Sequence, residues 1–102
     1  MNIFDLPDLP LTDELTTTLA SAGDARIERI VSTGQTTGWY DQDEAEFVAL
    51  IEGSAIIEYE NGNTIAMEKG DTLLIQPRER HRVSYTSTDP PCIWLCVFLG
   101  RG

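Results

Sequence analysis

Short runs of apolar and β-branched residues recur about every ten positions, each closed by a turn-forming residue. That rhythm points to an antiparallel β fold. The clearest case is Ala55–Glu60, then Asn61-Gly62, then Thr64–Glu68. Asn-Gly tolerates positive φ at both central positions and so closes a two-residue hairpin. Arg26–Val31 alternates roughly with period two, and Glu46–Glu52 is rich in Phe47, Val48, Leu50 and Ile51 before Gly53 breaks it. Lys69-Gly70-Asp71 turns the chain into Thr72–Ile75, which ends at Pro77, and His81–Thr86 and Ile93–Leu99 complete the series. The spacing predicts a sandwich or barrel. Residues 1–13 read as an arm, because Pro7 and Pro10 block a regular helix. Glu14–Ala22 admits two readings: Thr12 can cap a short helix with Leu15 and Leu19 on one face, whereas Thr16-Thr17-Thr18 favours a strand.

The 102 residues suit one domain, and 41% apolar content argues against wholesale disorder. Seventeen acidic residues against seven basic ones leave a charge of −10. Such a surface repels phosphate backbones and anionic headgroups, so neither nucleic acid nor a membrane is expected as a partner. No apolar run approaches the roughly 20 residues needed to span a bilayer, and Met1-Asn2-Ile3-Phe4-Asp5 lacks the features of a secretory signal. Cys92 and Cys96 lie four apart. On a regular strand they stand roughly 13 Å apart, too far for a disulfide. These features together suit a cytoplasmic protein with buried structural thiols.

Two segments resemble the paired motifs of the cupin superfamily. Gly34-Gln-Thr-Thr-Gly-Trp-Tyr-Asp-Gln-Asp-Glu-Ala-Glu46 continuing to Gly53 is similar to the first, and Gly70-Asp71 through Pro77 to His81 and Tyr85 to the second. Gly34, Glu46, Gly53, Gly70 and His81 fall at the family spacing. The resemblance implies an all-β, cupin-type jelly-roll β-barrel (double-stranded β-helix). It is a single domain over 1–102, with 1–25 as N-terminal arm and edge segment and 26–100 as the barrel. The family's His-x-His pair is missing. Its positions hold Tyr40 and Gln42 with one motif spacing and Trp39 and Asp41 with the other, and His81 is the only histidine.

In metal-binding cupins three histidines and a glutamate hold a divalent transition metal. Here the resemblance leaves Asp41, Glu46 and His81 as the set to look for, with at most one imidazole. A divalent transition metal therefore stays a candidate cofactor with a depleted ligand set. Glu46 shares a strand face with Val48 and Leu50 by period two, so it turns inward if they do. A buried carboxylate needs a partner, and His81 is the obvious one. Such a dyad is able to act as acid and base or to hold a polar ligand. Trp39 and Tyr40 read either as a ligand wall or as a lid on the core, and Trp94 reads as core. Arg78, Arg80 and Arg82 are expected on one strand face, opposite Glu79 and His81.

Two functions follow from different classes. One is a binding module holding a small organic molecule in the barrel, with Trp39, Tyr40 and Gln42 as ligand-binding residues. The other is a metal-dependent or acid–base enzyme (isomerase, dioxygenase or lyase) with Glu46 and His81 as catalytic residues. The resemblance further implies a homodimer.

Overall fold

The computed structural model describes residues 1–100, so residues 101 and 102 of the expected domain lie outside the described residues. Eight strands and no helix make up this part: β1 (Leu15–Ala22), β2 (Ala25–Ser32), β3 (Ala45–Glu52), β4 (Ser54–Tyr59), β5 (Thr64–Glu68), β6 (Thr72–Ile75), β7 (His81–Thr86) and β8 (Cys92–Leu99). They form two antiparallel sheets, β1-β2-β8-β3-β6 and β5-β4-β7. Residues 60–63 join β4 to β5, so the hairpin stands where expected but its loop has four residues, not two: Gly62, at φ 93, donates its N–H to the Tyr59 carbonyl, and Asn61 does not share the positive φ. The threonine run of β1 is a strand, because Leu15 to Ala22 pair along β2 from Val31 to Ala25. A lone helix here would leave that edge of β2 without hydrogen-bond partners.

Register sets what the large sheet presents to its interior. Ile30, Trp94 and Leu50 are cross-strand neighbours, as are Glu28, Cys96 and Val48, then Arg26, Phe98 and Glu46. Side chains alternate between faces, so these three rows share one face. The first row is apolar and the last carries charge. Packing therefore runs from a dry end, where Leu50 is fully buried, toward a polar end at Glu46. Ala55, Ile57 and Met67 of the small sheet join Val48, Leu50, Ile75 and Trp94 in one core cluster, which places the two sheets face to face.

On the opposite face of the large sheet the N-terminal arm is fastened down. The Arg29 guanidinium, 3% exposed, donates through NH1 to the carbonyls of Ile3 and Asp5. Leu11 N–H donates to Thr33 Oγ1, and Gln35 Nε2 donates to the Leu11 carbonyl. Val31 and Ile93 beside Arg29 are buried, whereas Phe47, Leu74 and Leu99 farther along the same sheet are exposed. The three arginines expected on one face do not form a continuous strand. Arg78 turns at φ 65 and pairs with Asp41 and Asp43, and β7 begins only at His81.

The β3–β4 corner depends on Gly53. Its φ is 89, and a Cβ there would lie 2.6 Å from the Pro91 carbonyl oxygen and 2.9 Å from Cys92 Cα. Both are backbone atoms and cannot swing away. Left-handed φ adds its own cost for an L side chain. Gly53→Ala is expected to lower folding stability by roughly 1–3 kcal/mol. Urea denaturation at neutral pH measures it, and an unchanged midpoint would refute this account of the corner.

Candidate functional site

Between the two sheets lies a cavity of about 230 Å³. Its walls come from β2 (Arg26, Glu28, Ile30), β3 (Glu46, Val48), β7 (His81, Val83) and β8 (Trp94, Cys96, Phe98). Tyr40, Gln42 and Glu14 contribute from flanking segments. Glu46 points inward with Val48 and Leu50, and its side chain is 11% exposed. Tyr40 is stitched to the start of β7 by a reciprocal backbone pair: Tyr40 N–H to the His81 carbonyl at 2.7 Å, and His81 N–H to the Tyr40 carbonyl at 3.1 Å. This short bridge continues the alternation of the small sheet, so Tyr40 and Gln42 face the cavity while Trp39 and Asp41 do not.

His81 is held in one orientation. Its Nδ1 lies 2.7 Å from the Glu79 carbonyl oxygen, which can only accept, so Nδ1 carries the proton. Nε2 lies 3.8 Å from Glu46 Oε1, an ion-pair separation beyond hydrogen-bond reach. Glu46 Oε1 accepts from Gln42 Nε2 at 3.1 Å, and the Cys96 thiol lies close enough to the carboxyl to lower its pKa. Burial raises the Glu46 pKa above the ordinary carboxylate value, and His81, Gln42 and Cys96 offset part of that rise. Burial and the charge of Glu46 push the Cys96 thiol far up, so it stays protonated and is no nucleophile at neutral pH. The Tyr40 ring sits 5.7 Å from the imidazole and that of Tyr59 6.4 Å away.

The remaining expected residues lie elsewhere. Trp39 stands outside, with the Arg82 guanidinium 4.5 Å and the Arg80 guanidinium 5.6 Å from its ring centre. Those arginines also pair with Glu58 and Glu60, so the cluster is an outer-surface network and Trp39 is not a cavity wall. Asp41 pairs with Arg78 at 2.9 Å and does not converge with Glu46 and His81. Among the described residues no three His, Cys, Asp or Glu side chains gather as a cation site. The interior donors near Glu46 are one imidazole, one amide and a protonated thiol. They do not fit the three-imidazole, one-carboxylate set that the family uses for a transition metal.

Sequence reasoning missed Glu14, Arg26 and Glu28 as lining residues. Arg26 bonds Glu28 at 3.2 Å and Glu44 at 2.7 Å, and its guanidinium lies 4.1 Å from the Phe98 ring centre. Ser32 Oγ donates to Glu14 at 3.3 Å, and burial raises the pKa of Glu14 as well. Period two along Arg26, Glu28 and Ile30 carried a signal, but Ile27, Arg29 and Val31 make the other face just as mixed.

A cupin domain model matches residues 28–98, and the chain belongs to that family. A structure from Ralstonia eutropha JMP134, described as a putative mannose-6-phosphate isomerase, is 34% identical. It covers 99% of this chain and 97% of its own, with a TM-score of 0.92. A cupin superfamily protein from Desulfitobacterium hafniense DCB-2 is 14% identical over 93% of this chain and 84% of its own, with a TM-score of 0.81. A chain from a set of DMSP lyase structures is 22% identical over 87% of this chain and 48% of its own, with a TM-score of 0.75. No curated protein matches.

The raised pKa values of Glu46 and Glu14 link stability to pH. Both hold protons more tightly folded than unfolded. Their contribution is full below the ordinary carboxylate pKa and is lost as pH rises through the raised folded values. Glu46→Gln is therefore expected to flatten the fall in stability across that window. Denaturant midpoints taken at a series of pH values read this directly, and parallel profiles for the two proteins would contradict it.

Proposed function

We propose that this chain is a small jelly-roll cupin that binds a small organic molecule between its sheets, with Glu46, His81, Tyr40 and Gln42 as the contacting residues. The observation that carries this reading is the polar end of the cavity. There an oriented imidazole and a buried carboxylate face open volume and are not hydrogen-bonded to each other. Two polar groups 3.8 Å apart on a cavity wall can both hydrogen-bond one ligand atom from the cavity side. Apolar walls from Val48, Ile57, Ile75 and Trp94 give the ligand's carbon frame a dry contact.

The same geometry favours a second reading, an acid–base enzyme. With Nδ1–H tied to a carbonyl, Nε2 is the free basic nitrogen, while Glu46 holds its proton to higher pH than an exposed carboxylate. The name of the 34% identical Ralstonia structure, an isomerase, is compatible with that chemistry. The donor set supports no step through a metal. A fragment library followed by methyl NMR tests the binding reading. Hits are expected to move Val48, Ile57 and Ile75, and His81→Asn to weaken them about tenfold. Hits confined to outer-face residues would overturn the proposal.

We further propose that the chain pairs with a second copy through the outer face of the large sheet. Phe47 and its cross-strand neighbour Leu74 are exposed there, 39% and 45%, with exposed Leu99 alongside. Contiguous exposed apolar residues on a sheet favour such burial. Sedimentation analysis is expected to show a dimer that Phe47→Glu converts to monomer. A monomeric parent protein would remove this assignment.

A further inference from the structure

We infer that the ligand of this cavity carries a positive charge: it is a small organic ammonium, not an anion such as a phosphorylated sugar. This rests on the cavity being the binding site and adds its chemical class.

The first support is charge balance. Three carboxylates line the cavity, Glu14 before β1, Glu28 on β2 and Glu46 on β3. All three raise the pKa of the Cys96 thiol, so their fields overlap at one place in the interior. Arg26 is the one guanidinium or ammonium among the described lining residues, and it is already engaged. It bridges Glu28 and Glu44 and lies over the Phe98 ring, leaving Glu14 and Glu46 without a cation of that kind. A phosphate entering here would meet carboxylates that outnumber the cations lining the cavity, at low dielectric.

The second support concerns hydrogen-bond polarity. His81 is 3% exposed, and its Nδ1 proton is used on the Glu79 carbonyl. With Nδ1–H so fixed, Nε2 is the nitrogen left for a ligand, and that atom has no hydrogen-bond donor facing it in the described structure. The strongest polar groups of the interior are thus acceptors, the carboxylates of Glu14 and Glu46, while one of the two Gln42 amide N–H groups is given to Glu46 and the remaining donors are neutral amide and hydroxyl groups. An alkylammonium supplies N–H donors and charge together. Its carbon tail suits Val48, Ile57 and Trp94, and the Tyr40 ring adds a cation-binding face.

Three probes of matched shape decide the class: n-butylammonium, 1-butanol and butyrate, each titrated while the methyl signals of Val48, Ile57 and Ile75 are followed. The ammonium is expected to bind at least about tenfold more tightly than the alcohol, with no saturable shift for butyrate. Glu14→Gln is expected to bring ammonium affinity close to that of the alcohol and to leave the alcohol unchanged. Butyrate binding as tightly as the ammonium would overturn the inference. So would an ammonium affinity indifferent to Glu14→Gln in a variant that still binds the alcohol. If the alcohol alone moves the cavity methyls, the charge assignment falls and the binding site stands. If no probe moves them, both fall.

Discussion

A carboxylate turned inward from the middle of an antiparallel sheet is the constraint to which the rest of this structure answers. Glu46 sits on β3 between strands β6 and β8, so neither edge nor loop lets it escape to water. Its stabilisation comes from three separate parts of the chain: Gln42 before the strand, Cys96 on the neighbouring strand, and His81 from the other sheet. Burying the charge is costly, and the cost is met only when both sheets and the segment before β3 are in register. The polar end of the interior and the pairing of the two sheets are thus one problem in folding. The apolar rows beyond Val48 supply the cohesion that offsets the desolvation at Glu46.

Much of the fold was legible because its turns are chemically explicit. Asn61-Gly62 and Gly53 stand where strands reverse, and both glycines have positive φ. β1 was harder, since a threonine run with Leu15 and Leu19 carries strand and helix signals at once. Its identity is decided by an edge of β2 that local propensity does not see. The bulges were hidden for a similar reason. The register shifts between Leu50 and Glu52 and between Thr18 and Ala20 arise from pairing with distant strands.

The site divides along the same line. Glu46 and His81 were visible from motif spacing, and their approach follows from β3 and β7 lying in facing sheets. Spacing alone left Tyr40 with Gln42, or Trp39 with Asp41, as the inward pair. The backbone bridge between Tyr40 and His81 chooses the first. Glu14, Arg26 and Glu28 escaped notice because charged side chains on a half-polar strand ordinarily face water. Here Arg26 pairs with both Glu28 and Glu44, which lets Arg26 and Glu28 line the cavity.

Arg29 gives the N-terminal arm a meaning beyond packing. Its guanidinium is sealed from solvent, Nε finds no acceptor, and NH1 is served by the main-chain carbonyls of Ile3 and Asp5. Those carbonyls do the work of hydration water, so the arm is in effect the counter-dipole of a buried cation. Trimming the chain to begin at β1 would strip that guanidinium of both carbonyl acceptors. The shortest self-sufficient form of the molecule therefore begins at the arm, ahead of the first strand.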